Sequence, residues 1–405
     1  MNMLHKFSAK NFYSFKDTVE IKFEVNDKAP NTYAYIDDIN ETRVSKVLTV
    51  VGANASGKTN LLKILSFLRQ FIIYSYDYKP DEEIPYHPYR FTSDEPTEFS
   101  VTFSCNKNLY EYYVKMNAKL VLDEALRKYN SETKQFYIVF KRSWDFKHND
   151  YKYNLANFPE NANIKKIVGK RKNASLISVA AQLDNPLSNE IIGYWKKYES
   201  NIFEFGKHDH HDSLQYAEEI AEYFSKDHKA RELVEKLLTR FDLGLTRLEI
   251  EKRSFKSESG KEKLSYRPKW FHKDIKGEFD LPFLYESHGT KCLFSRLGEI
   301  IPVLFDGGIA VLDELDADLH PHMLPELMNL FLSKELNQKN AQLIFTSHHH
   351  EILNKLDKYQ IVLTQRDNES GGTEAWRLDE IKGVRADDNY YAKYIAGVFG
   401  GVPEL

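Results

Sequence analysis

The sequence predicts an α/β fold with a mostly parallel core sheet, an antiparallel β section and a helical insertion. Short β-branched runs alternate with helical segments towards both ends of the chain, as in "SKVLTVVG" before "NLLKILSFLRQFIIY" and "GGIAVLDEL" before "PHMLPELMNLFLSKEL". Strands that alternate with helices favour a parallel sheet. Runs dense in Tyr, Phe and Val predict the antiparallel section, and helical periodicity across residues 154–243 predicts the insertion.

The N-terminal part of the chain is predicted to be rich in strands. Its first apolar residues alternate with polar ones through Val19, Ile21 and Phe23, which indicates a strand or hairpin with one buried face. A strand that stops at Gly52 follows, and then a helix with leucines at helical spacing. Further strands are predicted at "EFSVTFSC", "YEYYVKM" and "QFYIVFKR".

The rest of the chain is predicted to contain helices in the insertion, followed by further strands and helices. Predicted insertion helices are "SLISVAAQL", "SNEIIGYWKKY", "SLQYAEEIAEYF" and "ARELVEKLLTRF". Later elements are a strand at "LTRLEIEKRSF", a helix at "KCLFSRLGEIIPVLF", and strands at "AQLIFTSH" and "YQIVLTQR". We therefore expect an N-terminal lobe at 1–153, the insertion at 154–243 and a C-terminal lobe at 244–405.

Composition and charge limit the class of protein. The chain has 405 residues, 42% of them hydrophobic, which suffices for a substantial core. Its 56 Lys and Arg against 60 Asp and Glu give no overall attraction to nucleic acid or to an anionic membrane. No apolar run approaches the roughly 20 residues that span a bilayer, and the start lacks a signal-peptide core. We expect a cytoplasmic protein with no membrane partner.

Cysteines and histidines give little indication of a structural metal. Cys105 and Cys292 are too few for a disulfide framework or a zinc cluster, so buried thiols are expected. The adjacent residues His348–His350 cannot all face one ion. The cluster "KHDHHD" at 207–212 is either an adventitious metal binder or a solvated loop, and the sequence favours the loop.

Residues 52–59 form a phosphate loop. They read "GANASGKT" and satisfy G-x-x-x-x-G-K-[ST] between a strand and an amphipathic helix, a context that disfavours an accidental glycine turn. In this motif Lys58 neutralises phosphate charge and Thr59 offers its hydroxyl to Mg²⁺. We expect ATP and Mg²⁺ as cofactors, although GTP is not excluded. The expected nucleotide contacts are Gly52, Asn54, Ala55, Ser56, Gly57, Lys58, Thr59 and Asn60.

Two later strands end in polar residues. In "IAVLDE" four apolar residues precede Asp313 and Glu314, which suits a buried parallel strand that opens into a ligand crevice. We assign Asp313 to Mg²⁺ and Glu314 to the water that attacks the γ-phosphate, with a helix cap as the alternative. His348 ends the strand "IFTSH", where its imidazole would contact the γ-phosphate or that water.

The order of strand, phosphate loop, helix, insertion, "ESHGTK", helix, "VLDEL", helix and "TSH" resembles an ABC-type ATPase head, in the branch shared by structural maintenance of chromosomes, RecF-type and OLD-type proteins. In that family the signature segment binds the γ-phosphate held by a second subunit. The resemblance assigns this role to Ser287 and Gly289 and implies a homodimer or higher oligomer. The usual signature has two glycines directly after the serine, whereas here His288 stands between Ser287 and Gly289. The segment "NFYSF" at 11–15 resembles the "NFxSF" opening of these proteins, with Tyr13 at a position where Arg is common. Gln182 is a candidate for the glutamine lever, with an ordinary helix residue as the alternative.

A narrower resemblance, to the compact ATPase subunits of bacterial anti-phage operons, rests on the combination of "GANASGKTNLLK", "PYRFTSDEPTEFSVTF", "ESHGTK" and "YYAKYIAGVFGGVPEL". Length separates the chain from other relatives. About 230 residues separate phosphate loop and signature, too few for the long coiled coils of chromosome-maintenance proteins. The 57 residues after His348 lack the acidic set of a TOPRIM nuclease. This resemblance implies a regulatory ATPase that controls a separate effector, a nuclease or toxin. The alternative is a RecF-like DNA-repair ATPase, favoured by basic residues at 165–172 and 252–276.

Overall fold

The computed structural model describes residues 2–159, 164–208, 210–241, 244–256 and 262–403. The strands in these ranges are β1 (Met3–Lys10), β2 (Val19–Lys22), β3 (Glu24–Val25), β4 (Tyr35–Asp37), β5 (Arg43–Ser45), β6 (Val47–Gly52), β7 (Thr97–Cys105), β8 (Asn108–Met116), β9 (Val121–Asn130), β10 (Gln135–Asp145), β11 (Asp150–Asn154), β12 (Tyr198–Ser200), β13 (Ile202–Phe203), β14 (Gly206–Lys207), β15 (Leu245–Lys256), β16 (Glu262–Asp274), β17 (Gly277–Pro282), β18 (Ile309–Leu312), β19 (Gln342–Thr346), β20 (Ile361–Arg366) and β21 (Thr373–Arg377).

The α-helices in the same ranges are α1 (Lys58–Tyr74), α2 (Ile164–Lys170), α3 (Leu176–Ala181), α4 (Pro186–Trp195), α5 (Leu214–Lys226), α6 (His228–Phe241), α7 (His288–Asp306), α8 (Met323–Leu332) and α9 (Tyr390–Ile395). Short 3-10 helices lie at Ile39–Glu41, Ser75–Asp77, Arg90–Thr92, Phe283–Tyr285, His350–Lys355, Lys358–Gln360 and Leu378–Glu380. In the part of the chain that the structure describes, no helix has both the length and the apolar character needed to cross a membrane.

A mostly parallel sheet forms the centre of the molecule. Its order is β12-β18-β19-β6-β20-β21, and only β21 runs antiparallel to its neighbour. Both faces are covered, because successive residues of β18 enter two different apolar clusters: Ile309 and Val311 one, Ala310 and Leu312 the other. The predicted core sheet is confirmed, and its parallel strands all end at one edge.

A second sheet is antiparallel and has seven strands, in the order β11-β10-β9-β8-β7-β1-β2. This confirms the predicted antiparallel section and the opening hairpin. Helix α1 lies between the two sheets, since Leu65 shares one apolar cluster with Phe99 of β7 and Val50 of β6. Helices α7 and α8 cover the opposite face of the parallel sheet, where Leu297 and Leu327 belong to the second cluster.

The described residues of the segment 154–243 contain the four predicted helices, α3 to α6, and also helix α2 and strands that were not predicted. β12 pairs in parallel with β18 at the edge of the core sheet. α3 and α4 pack in the cluster around α1, whereas α5 and α6 pack with α7. Positions 160–163, 209 and 242–243 lie outside the described residues. The division into three segments stays a prediction.

Candidate active site

The phosphate loop is a tight turn between β6 and α1. Gly57 starts the helix at φ 99°, in the left-handed region that favours glycine. Gly52 lies against β20 so closely that an added Cβ would be 2.4 Å from the carbonyl oxygen of Thr364. Both glycines of the motif are therefore required by the path of the backbone.

Lys58 lies inside this loop. Its Nζ donates to the carbonyl oxygens of Gly52 and Ala53, each at 2.9 Å. Burial lowers the pKa of Lys58, and the nearby carboxylates of Asp313 and Glu314 offset only part of that effect. A phosphate group would supply the negative charge that this buried ammonium group lacks.

The remaining loop residues differ in exposure. Asn54 and Ala55 are exposed at the tip, where their backbone is accessible to a ligand. Ser56 is buried, and its hydroxyl lies 2.7 Å from the hydroxyl of Thr364 on β20. Asn60, in the first turn of α1, donates from Nδ2 to Oγ of Ser14 at 3.0 Å. The loop is thus anchored on two sides while its tip stays open.

Asp313 follows β18 and is held at both carboxylate oxygens. Thr59 donates from Oγ1 to its Oδ2, and Thr346 donates from Oγ1 to its Oδ1, both at 2.6 Å. The backbone of Asp313 exchanges two hydrogen bonds with the buried side chain of Asn201, at 2.8 and 2.9 Å. Hydroxyl and carboxylate oxygens are ligands that Mg²⁺ prefers, so Thr59 and Asp313 would hold the ion that accompanies a nucleotide.

Glu314 turns the chain away from the sheet at φ 47°, a backbone conformation that is uncommon outside glycine. Its backbone N–H donates to Oγ1 of Thr346 at 2.7 Å. The carboxylate lies 3.0 Å from Nζ of Lys207 and 3.4 Å from Nε2 of His348. Burial would raise the pKa of Glu314, but Lys207 and His348 hold it below its usual value. The side chain is therefore ionised at neutral pH and can accept a proton or a hydrogen bond.

Asp316 ties the acidic turn to the end of β19. Its Oδ2 accepts the backbone N–H groups of His348 and His349, both at 3.0 Å. Because Asp316 is buried, these hydrogen bonds fix the position of the histidine backbone relative to Glu314. The structure thus brings Lys58, Thr59, Asp313, Glu314 and His348 to one edge of the sheet.

Ser287 and Gly289 lie at the start of α7. Ser287 caps the helix, since its Oγ accepts the N–H of Thr290 at 3.1 Å, and it is exposed. The space around Gly289 is open, because an added Cβ would lie 3.8 Å from its nearest neighbour, the carbonyl oxygen of Asp318. Within the described residues, no hydrogen bond joins either one to the phosphate loop of this chain. Their action on a second subunit stays a prediction.

Tyr13 and Gln182 have local contacts. The hydroxyl of Tyr13 donates to the carbonyl oxygen of Glu204 at 2.8 Å, and its ring lies 4.1 Å from Nζ of Lys63. It lines a cavity of about 730 Å³ beside α1. Gln182 lies at the C-terminal end of α3, where its backbone N–H donates to the carbonyl oxygen of Ala180. Its role as the glutamine lever stays a prediction.

The site also contains residues that the sequence did not indicate. Asn201 and Lys207 both come from the predicted helical insertion, Lys207 from a stretch expected to be a solvated loop, and neither was expected near Asp313 or Glu314. Thr346 sits beside a predicted site residue in the motif "TSH". The position of Thr346 at the end of a predicted strand could have identified it as a site residue, because polar residues at the carboxyl ends of parallel strands face the ligand crevice.

Comparison with known proteins identifies the family. The family model described as "AAA domain, putative AbiEii toxin, Type IV TA system" matches residues 47–354. No curated protein sequence is significantly similar to this chain.

Two similar solved structures are Smc head domains. The head from Pyrococcus furiosus, bound to the C-terminal domain of ScpA, has 16% identity and a TM-score of 0.43, covering 93% of this chain and 96% of that chain. The head from Pyrococcus yayanosii has 12% identity and a TM-score of 0.43, covering 98% and 100%. Because the family match spans well over half of the sequence, the chain belongs to this family of AAA domains.

Proposed function

We propose that this protein binds and hydrolyses ATP and acts as a dimeric switch. The observation that carries the proposal is the convergence of Lys58, Thr59, Asp313 and Glu314, with Thr59 only 2.6 Å from Asp313. Phosphates would bind to the loop amides and Lys58, while Mg²⁺ would lie between Thr59, Asp313 and the phosphates. These groups stabilise the charge that develops during phosphoryl transfer.

Glu314 would polarise the attacking water. In the described arrangement its carboxylate is paired with Lys207, a residue of the insertion, at 3.0 Å. To accept a proton from water, Glu314 must exchange this ion pair for a hydrogen bond to the water molecule. His348 lies next to the same carboxylate and would contact the γ-phosphate or the water. Nucleotide binding is thereby coupled to the insertion through Lys207.

The direct test is Lys58→Ala. We expect this variant to lose nucleotide binding and hydrolysis, because the loop would no longer neutralise the β- and γ-phosphates. Titration with a fluorescent ATP analogue measures binding, and phosphate release measures turnover. Lys79→Ala removes an exposed lysine and is the matched control. Hydrolysis by Lys58→Ala at the parental rate would refute the proposed site.

We further propose that the switch regulates a separate effector, a nuclease or toxin, in an anti-phage defence system. The family description, with its putative toxin and toxin–antitoxin system, supports a role in a system of this type. Cells that carry the complete operon should restrict phage, and the same cells with Lys58→Ala should not. Equal phage yields from both strains would argue against a defence role without affecting the ATPase assignment.

The basic segments give limited support to the RecF-like alternative. Several of their cations already have carboxylate partners: Arg253 with Glu251 at 2.8 Å, Arg267 with Glu218 at 3.1 Å and Lys269 with Asp280 at 3.1 Å. Such pairs reduce the positive charge available to phosphates. Stimulation of hydrolysis by DNA, falling steeply with salt, would favour the alternative over the defence role.

A further inference from the structure

A group of metal-ligating side chains lies beside the signature segment, apart from the phosphate loop. One ring nitrogen of His211, one of His288 and Sγ of Cys292 all lie within 4.8 Å of one another. His288 and Cys292 are four residues apart in α7, so they share a helix face. His211 comes from the loop before α5, and its ring centroid is 4.5 Å from that of His288.

We propose that these three residues bind a Zn²⁺ ion. Two imidazoles and a thiolate are a ligand set that suits zinc, and three protein ligands with one open position are common in its sites. Tetrahedral geometry requires ligand atoms roughly 3.3 to 3.7 Å apart, so an adjustment of about one ångström would complete the site. Cys292 would lose its proton to solvent as the zinc–sulfur bond forms.

The surrounding charges fit a cation. Asp212 Oδ2 lies 3.5 Å from Nε2 of His211, and Asp318 Oδ2 lies 3.5 Å from Nε2 of His288. Carboxylates beside imidazoles orient histidine ligands and increase their basicity. The positive charge of Lys291 would repel the ion, but its Nζ is paired with Asp212 at 3.3 Å. Water would take the fourth position.

The location suggests a consequence that rests on the proposed function. His288 stands between Ser287 and Gly289, the residues expected to clamp the nucleotide of a second subunit. Zinc would tie the loop at 210–212 to the first turn of α7 and fix the His288 ring. We therefore expect zinc to change the rate of ATP turnover while leaving nucleotide affinity unchanged.

Metal binding can be measured without nucleotide, which separates this proposal from the ATPase assignment. The full chain, stripped with a chelator, is titrated with Co²⁺ and then with Zn²⁺. We expect one Co²⁺ per chain, with a thiolate-to-cobalt charge-transfer absorption that zinc abolishes. His211→Ala and Cys292→Ser should each weaken zinc binding more than about 100-fold, beyond the cost of losing an outer-shell partner.

Two control variants leave the three proposed ligands intact. Cys105→Ser removes the other cysteine, which lies in a different apolar cluster, and should bind zinc normally. A double variant, His208→Ala with His210→Ala, removes neighbouring loop histidines and should also bind normally. Loss of binding in this double variant together with retention in Cys292→Ser would mean that the histidine run binds metal adventitiously. Parental affinity in His211→Ala, which replaces a loop residue, would equally overturn the proposal.

Discussion

Each of several neighbouring strands contributes one polar residue to the same edge of the parallel sheet. Asn201 follows β12, Asp313 follows β18, Thr346 ends β19 and Thr364 lies in β20 beside the phosphate loop. Three of them form one hydrogen-bonded chain, because Asp313 contacts both Asn201 and Thr346. Connected polar groups of this kind keep a carboxylate in one orientation. Asp313 is therefore held in place before any ligand binds, as the proposed Mg²⁺ site requires.

The role of Glu314 can be tested by a substitution that keeps its size. We expect Glu314→Gln to slow ATP hydrolysis by about 10² to 10⁴-fold, the usual contribution of a general base. Nucleotide affinity should remain, because Lys58 and the loop are unchanged, and closed dimers should accumulate. Single-turnover hydrolysis and size-exclusion chromatography with ATP measure these effects.

The control for this prediction is Glu335→Gln, which changes an exposed glutamate beyond α8. It should hydrolyse ATP at the parental rate. If Glu314→Gln also did so, Glu314 would not activate the water, and another group at the site would have to be sought.

Residues of the site could be predicted where the signal is local in the sequence. The phosphate loop was predictable because its whole chemistry lies in eight consecutive residues. Asn201 was not, because its partner Asp313 is 112 residues away and the two meet only when β12 joins β18. His211 and Cys292 likewise come from segments far apart in the sequence, so counting cysteines could not reveal the group.

Among the elements, β9 was missed for a physical reason. Its sequence "VLDEALRKYN" is rich in residues that favour helices, yet it lies between β8 and β10 as a central strand. Packing against its neighbours overrides the intrinsic preference. Glu124 of β9 shows the tertiary contact involved: it is completely buried and paired with Arg142 of β10 at 2.6 Å.

This pair joins the antiparallel sheet to α3, and a substitution can measure its contribution. Tyr112 of β8 and the backbone N–H of Leu176 also donate to Glu124, at 2.8 and 2.9 Å. We expect Arg142→Met to lower the free energy of unfolding by about 3 to 5 kcal/mol, because it leaves a buried charge without its counterion. Urea denaturation measures the change.

The matched control for Arg142→Met is Arg127→Met. Arg127 of β9 pairs with Glu111 of β8 at 3.1 Å, but this ion pair is exposed. Loss of this ion pair should lower the free energy of unfolding by less than about 1 kcal/mol. If both variants lost the same free energy of unfolding, the buried Arg142–Glu124 pair would contribute no more to stability than the exposed pair.

For the whole molecule, the two ends of the chain form one body. The side chain of Gln342 in β19 exchanges hydrogen bonds with the backbone of Leu4 in β1, at 2.6 and 2.9 Å. The N-terminal phosphate loop and the C-terminal acidic turn are also joined directly, because Thr59 donates to Asp313. The signature residue Ser287 is exposed on this body, so it is accessible to a second molecule, as the proposed clamp between subunits requires.

This geometry makes a quantitative prediction about mixed dimers. Lys58→Ala should inactivate the loop and Ser287→Arg the clamp, so each protein alone should show no turnover, although Ser287→Arg should still bind nucleotide. In a heterodimer of the two, one site combines an intact loop with an intact clamp. Random pairing should restore about a quarter of parental activity, since half of the dimers are mixed and each has one intact site. Phosphate release from an equimolar mixture measures this recovery, and a mixture no more active than its separate components would contradict a clamp that acts between subunits.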